Sequence, residues 1–304
     1  LNNNMLLVFT STFVIAILVV SVAGYIYEPY DMKSIPPEEI VDYDDTELKV
    51  HFIDVGIGNA VLISYQNKNM LIDAGVDELG TNIIPYMYTY DITRLDYMIP
   101  SSHDQENING MIGILTTMLV QKYMDNGHVL DTQSYESLYH MIDVTSTNNT
   151  ILTRDDTIDF HPDIEITVLN PEELTGNFAK DSIVIKLTYE DISFLFMGEA
   201  GFEVENELIK NDYDLDVTFL KIGQYGSKYS SSDTFLEYVN PSYCIIQEGP
   251  HEDYVSPHTE TMNRLKQADT GILDNKFHGN IVVTTDGTNY NIYTQNVLDH
   301  RIFH

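Results

Sequence analysis

Between Ser102 and Asn107 the chain sets a hydroxyl, an imidazole, two carboxylates and two amides side by side, in the stretch LDYMIPSSHDQENING from Leu95 to Gly110. Groups of these types can hold a cation or move a proton. Oxygen donors suit hard cations such as Ca²⁺ or Mg²⁺, whereas zinc takes imidazole and thiolate more readily. His103 is the one imidazole in the loop, and a single loop histidine reads first as a hydrogen-bonded or solvated side chain. Lys221 upstream of Ser230, Ser231 and Ser232 supplies the residue types of a Ser–Lys nucleophile pair. Cys244 is the sole cysteine, so no intrachain disulfide can form, and its apolar setting YCIIQ predicts a buried, structural thiol.

An apolar strand must deliver the loop at Ser102, and a helix must receive it. Alternation and β-branched residues predict strands over 49–55, 60–65 and 70–72, with turns at 56–59 and 66–69. A helix over 81–92 and a buried strand over 95–99 follow. Beyond the loop come helices over 111–123 and 135–142, then strands over 164–169, 182–189 and 192–197. A helix over 200–210, a strand over 216–223, a helix over 233–239 and a strand over 242–247 complete the middle. Strands over 281–285 and 290–294 close the pattern, joined by the hairpin signal Asp286-Gly287.

Four motifs in this frame resemble the metallo-β-lactamase superfamily. The opening HFIDVGIGNAVLI, from His51, is similar to the start of the β-lactamase-like domain of bacterial competence DNA-uptake membrane proteins, with Ile57 and Asn59 where that family has Gln and Asp. The IDAG block, Ile72 to Gly75, matches the superfamily's second strand block. KIGQYGSKYSSS, from Lys221, resembles the family's K-V-G-H-H-G-S-x-x-S-S-S, and the stretch from Tyr254 to Leu265 resembles Y-G-H-P-H-x-x-T-x-x-R-L, with Val255 and Ser256 in place of Gly-His and His258 retained. The resemblance implies an α/β fold, the αββα sandwich of that superfamily, over residues 49–304.

The same resemblance implies what has become of the ligands. Laid on the family's H-x-H-x-D-H loop, the three histidine positions fall on Ser102, Asp104 and Asn107, and the aspartate position on Glu106. The bridging aspartate position falls on Glu199, and the two histidines of the K-x-G motif on Gln224 and Tyr225. A dinuclear zinc centre needs imidazoles and a bridging carboxylate to activate water. The expectation is therefore a vestigial pocket with no catalytic residues, no metal ligands and no cofactor. Asp104, Glu106 and Glu199 remain as an oxygen-rich set that could take Ca²⁺ or Mg²⁺.

Composition bounds the partners. Asp and Glu number 47 against 15 Lys and Arg, a formal net charge of −32. Nucleic-acid affinity rests on basic groups that displace counterions, so no nucleic-acid partner is expected. From Met5 to Tyr27 no residue is charged, and at about 1.5 Å per residue a helix of that length spans roughly 34 Å, enough to cross a bilayer. The polar LNNN ahead of this run resembles the mature start of a type IV pilin-like subunit, although Met5 stands where bacterial pilins carry Glu. In that reading residues 1–27 are a hydrophobic helix, presenting Met5, Leu6, Leu7, Phe9, Phe13, Ile15, Ile17, Leu18, Val20, Val22 and Tyr25 for homo-oligomeric assembly, with a membrane as its home before assembly. Residues 28–48, acidic and containing Pro29, Pro36 and Pro37, form a spacer. Its negative charge favours the outer side of a membrane. Asn148-Asn149-Thr150, in a polar loop, matches a glycosylation sequon.

The expected function is that of a non-enzymatic, extracellular or cell-surface filament subunit displaying an inactive metallo-β-lactamase-like domain. The alternatives are a membrane-anchored hydrolase with a remodelled oxygen-ligand site and a single-span anchored binding module.

Overall fold

The first strand pairs across both ends of the domain, and the rest of the architecture follows from it. In the computed structural model, which describes residues 46–248 and 256–296, β1 (Leu48–Phe52) lies antiparallel to β2 (Val61–Tyr65) on one side and to β13 (Ile281–Thr285) on the other. The expected hydrophobic assembly helix, residues 1–27, lies outside the described residues. Among the described residues no helix is long and apolar enough to cross a membrane. β1 begins at Leu48, which is fully buried, one residue earlier than its expected start.

β2 returns into β3 (Lys68–Ile72) through Gln66 and Asn67, both at positive φ. That pair of left-handed residues matches the natural twist of a hairpin. From β3 the sheet turns parallel, through β4 (Arg94–Ile99), β5 (Leu119–Asp125) and β6 (Asn148–Ile151). With β14 (Tyr290–Thr294) outside β13, the first sheet has the order β14-β13-β1-β2-β3-β4-β5-β6. The second sheet comprises β7 (Glu165–Asn170), β8 (Val184–Tyr189), β9 (Ile192–Phe196), β10 (Phe219–Lys221), β11 (Tyr243–Ile246) and β12 (Gly271–Asp274), in reverse order across the sheet.

Period-two alternation sends each strand's two faces into different cores. Val50, Phe52 and Ile63 of the first sheet meet Ile185, Phe194 and Phe219 of the second in one cluster. Phe194 stacks on Phe219 with centroids 4.8 Å apart. The opposite face of the first sheet, with Leu62, Leu71 and Met98, is covered by α1 (Ile83–Thr89), α2 (Gln105–Thr117) and α3 (Gln133–Thr145). The outer face of the second, with Leu195, Leu220 and Cys244, is covered by α4 (Phe202–Lys210), α5 (Asp233–Val239) and α6 (Thr259–Gln267). A short α7 (Asn275–His278) connects β12 to β13. Two sheets face to face with helices on both outer surfaces make an αββα sandwich, the expected α/β class.

Some elements differ from the sequence reading. The helix expected over 111–123 starts at Gln105 and ends at Thr117, because Met118 adopts an extended backbone and hands the chain to β5. No glycine or proline marks that break, so the apolar run conceals it. Asn148 is the first residue of the exposed edge strand β6 rather than part of a loop. α6 and β12 were not anticipated as elements.

Candidate functional site

Most residues of the candidate site lie at or near a strand end, and Glu106 and Asn107 lie in the first turn of α2. Asn59 precedes β2, Asp73 follows β3, Ser101 to Asp104 follow β4, Glu199 follows β9, and Lys221 ends β10. Two glycines allow these connections to close on one another. A Cβ on Gly58, which sits at φ +106°, would collide with the Glu106 carbonyl, and a Cβ on Gly110 would collide with that of Ala74. Gly110 N–H donates to the Gly75 carbonyl at 3.1 Å, fixing α2 against the loop after β3.

The expected pocket residues are brought together, at two depths. Ser102 and Asn107 are buried at 2% and 0% exposure, whereas Asp104, Glu106, Glu199, Gln224 and Tyr225 line a cleft of about 710 Å³. Beneath the cleft runs a continuous polar network. Lys221 Nζ donates to Asn59 Oδ1 at 2.7 Å, and Asn59 Nδ2 donates to Asn107 Oδ1 at 3.1 Å and to Glu199 Oε1 at 3.3 Å. Asn107 Nδ2 donates to Ser102 Oγ at 3.0 Å and to Glu199 Oε1 at 3.4 Å, while Ser102 Oγ donates to Asp104 Oδ2 at 3.2 Å. Tyr225 O–H donates to Asn107 Oδ1 at 3.4 Å. The Glu199 N–H donates to Ser182 Oγ at 2.8 Å, which ties the loop after β9 to the segment leading into β8.

Burial sets the electrostatics of this network. Asp73, 1% exposed, accepts from Ser101 N at 2.6 Å and Ser101 Oγ at 2.8 Å. Its carboxyl is pushed up to about 7 by burial, against the pull of those bonds and of Lys221. Glu199 is pushed up to about 6, again by burial, with Lys221 and Asn107 opposing. Burial lowers the Lys221 ammonium from its ordinary range, and Asp73 and Glu199 act to hold its proton. One buried cation therefore faces a buried acid, Asp73, and a partly exposed one, Glu199.

A second cluster forms the cleft's other wall. His103, expected to be solvated or hydrogen-bonded, is hydrogen-bonded and only 2% exposed. Its Nε2 lies 3.1 Å from Asp125 Oδ2 and 3.3 Å from the Tyr123 hydroxyl. Tyr139 O–H donates to the same Asp125 oxygen, and Gly127 N–H donates to the other at 2.8 Å. Burial works against the charge on Asp125, but the bonds from His103, Tyr139 and Gly127 outweigh it and hold the carboxyl below the usual range. An ionised Asp125 can only accept, so in the neutral imidazole Nε2 carries the proton and Nδ1 the lone pair. No hydrogen-bond partner for Nδ1 occurs among the described residues.

The Ser–Lys pair does not form. Ser230 Oγ donates to the Gly223 and Ser227 carbonyls at 2.9 and 3.0 Å, and Lys221 turns to Asn59. Glu205 accepts from Ser231 N and from Ser232 N, and Arg264 donates to the Ser230 and Ser231 carbonyls at 2.8 and 2.7 Å, so the serines build a loop.

The donor set does not fit the dinuclear zinc centre of the fold. A hydroxyl, a carboxylate, two side-chain amides and a phenol stand at the positions that the resemblance aligns with imidazoles, and the Lys221 ammonium is hydrogen-bonded into the same group. Among the described residues no three His, Cys, Asp or Glu side chains are grouped to hold a metal ion. Sequence reasoning missed Asp73, Asn59 and the His103–Asp125 pair as members of the site. Asp73 had a signal in the IDAG block, whereas Asp125 is separated from His103 by a whole helix and had none.

Comparison with known proteins agrees with this architecture. No protein-family model matches the chain. It is 23% identical to ComE operon protein 3 of Bacillus subtilis over 78% of this chain and 33% of that protein. It is 26% identical to competence protein ComA of Neisseria gonorrhoeae, over 73% of this chain and 30% of that one, and 26% identical to recombination protein 2 of Haemophilus influenzae, over 77% and 28%. The chain thus spans about a third of the length of these relatives. Among solved structures, the metallo-β-lactamase fold protein YhfI from B. subtilis superposes with a TM-score of 0.54 at 12% identity, covering 78% of this chain and all of that one. CmlA, a diiron β-hydroxylase from Streptomyces venezuelae, gives 0.51 at 9% identity, over 80% of this chain and 55% of that one. The domain has the metallo-β-lactamase fold, and it is similar in sequence to part of competence proteins.

Proposed function

We propose that the chain is a non-enzymatic protein of the cell exterior, in which a metallo-β-lactamase-like domain related to the segment of competence proteins serves as a displayed, catalytically silent unit. The observation that carries this reading is the Lys221–Asn59–Asn107–Glu199 network. In it a buried ammonium and paired amides satisfy one another in the place where metal and water would have to bind. Catalysis by this fold depends on a metal that lowers the pKa of a bound water, and amides and hydroxyls are poor substitutes for imidazole in that task.

In the finer form of the proposal, the uncharged run from Met5 to Tyr27 bundles in the core of a type IV pilin-like filament and residues 28–48 space the domain from it. Composition supports this, since an acidic surface repels both nucleic acid and anionic membrane. Two measurements test the proposal. Metal analysis of protein purified without chelators is expected to find substoichiometric metal, with no hydrolysis of a model phosphodiester. Stoichiometric Ca²⁺, Mg²⁺ or zinc, lost on Asp104→Ala, would instead establish the remodelled hydrolase. Electron microscopy of native surface material should show regular filaments, and dispersed particles requiring detergent would refute the filament form.

A further inference from the structure

The cleft above the buried network has walls of one sign. Asp104, Glu106 and Glu199 line it, and no lysine or arginine does so among the described residues. The carboxyls interact unfavourably: Asp104 raises the energy of the charge on Glu199, and Glu106 raises that on Asp104, with His103 and His128 opposing. Lys221 compensates Glu199 only from below, as its Nζ is directed to Asn59.

A second, independent feature asks for the same kind of ligand. His103 lines the cleft with its Nε2 edge held by Asp125, and its buried Nδ1 has no partner among the described residues. A buried acceptor left unmet is destabilising, so a ligand that brings an N–H to it recovers that energy. His258, at the start of α6, also lines the cleft, and its buried Nδ1 likewise has no partner among the described residues. Phe178 and Tyr225 contribute ring surface to the same walls, and the His128 ring stacks behind Phe178 at 5.2 Å. Carboxylates, imidazole acceptors and aromatic faces together match a cation that carries N–H donors and an aliphatic stem.

We infer that the cleft is a binding site for an alkylammonium group, accepted by Asp104, Glu199 and His103 Nδ1, with Phe178 and Tyr225 against its methylenes. The inference rests on the reading of this cleft as a catalytically silent site. The ammonium comes either from a free polyamine or from a lysine side chain of a partner. Its positive charge is drawn in by the protein's net charge of −32.

The test is isothermal titration of the full chain with spermidine, with N-acetyl-lysine methylamide and with choline. One-to-one binding of spermidine or of the lysine amide, weakened roughly tenfold by Asp104→Asn and unchanged by Glu237→Gln on the exposed face of α5, is expected. Preference for spermidine assigns the free polyamine, and preference for the lysine amide assigns a partner's side chain. Choline, which has no N–H to offer His103, should bind roughly tenfold more weakly than the better amine. Multiple weak sites that respond equally to Asp104→Asn and Glu237→Gln would show diffuse counterion binding and overturn the site, and so would no binding of either amine. Choline binding as tightly as the amines would overturn the role given to His103. Metal content and hydrolysis, measured on the same preparation, report separately on catalytic silence.

Discussion

Replacing Lys221 by Met should expose the dependence of the whole site on one buried cation. Lys221 is 3% exposed, and Met keeps most of its apolar stem while removing the ammonium. Asn59 Oδ1 loses its 2.7 Å donor, and Asp73 and Glu199 lose the positive charge that opposes their burial. Breaking a buried charge pair by deleting one partner costs about 3–5 kcal/mol. For a domain of this size that lowers the melting temperature by about 6–20 °C.

The pH dependence carries the stronger test. Both carboxyls have folded pKa values above their ordinary ones, about 7 for Asp73 and about 6 for Glu199. Such a group contributes stability that is full below its unfolded pKa and lost as pH rises through the folded one. Without Lys221 both values rise further, so the penalty is largest where the carboxyls are forced to ionise. The loss in Lys221→Met should therefore be greatest near pH 8 and smaller near pH 5, where the acids take up protons. Urea unfolding at both pH values, followed by tyrosine fluorescence since the chain has 21 Tyr and no Trp, measures it. A loss below about 1 kcal/mol at pH 8, or an equal loss at both pH values, would refute the electrostatic account and leave only packing.

Three further outcomes follow from the geometry. Asp125→Asn removes the negative charge and one of the two acceptor oxygens that serve His103, Tyr139 and Gly127, and should cost about 2–3 kcal/mol near neutral pH in thermal unfolding. Because Asp125 titrates below its ordinary range, its contribution is present above the unfolded pKa and disappears as pH falls through the folded one, so wild type and variant should converge in acid. Gly110→Ala drives a methyl group into the Ala74 carbonyl and should cost about 3 kcal/mol or more, an effect absent from Gly176→Ala as far as space is concerned. Treatment with EDTA should leave the melting temperature unchanged, and a fall of several degrees would reveal a native-state metal.

Much of the frame could be read along the chain because it is local. β1 to β3 alternate with period two, and Gly58, IDAG and Gly110 mark where backbones must approach closely. The boundary between α2 and β5 was not legible. Ile112, Ile114 and Leu115 run into Val120 and Tyr123 without punctuation, and only the tertiary packing beside β4 makes the second half a strand. The positions of the pocket residues followed from motif alignment, but their chemistry did not. That Asn59 bridges Lys221 to Asn107 depends on three segments far apart in sequence. Similarly, His103 has no nearby acid in the sequence that predicts its bond to Asp125, since β5 brings that acid in from the far end of α2.

The placement of β1 has a consequence for how this protein is made. Leu48 to Phe52 pair with Thr285 to Ile281, so one flank of the first strand stays without a partner until almost all of the described chain has been synthesised. A ribosome delivers the β1–β2–β3 meander early, and its open edge then waits through the emergence of the entire second sheet. Contacts of such long sequence separation form slowly, and an unpaired edge is a template for association with other chains. An assembly line crowded with identical nascent copies is therefore most vulnerable just before β13 arrives. Truncation ahead of Ile281 would leave that edge permanently available, turning a folding intermediate into a seed for aggregation.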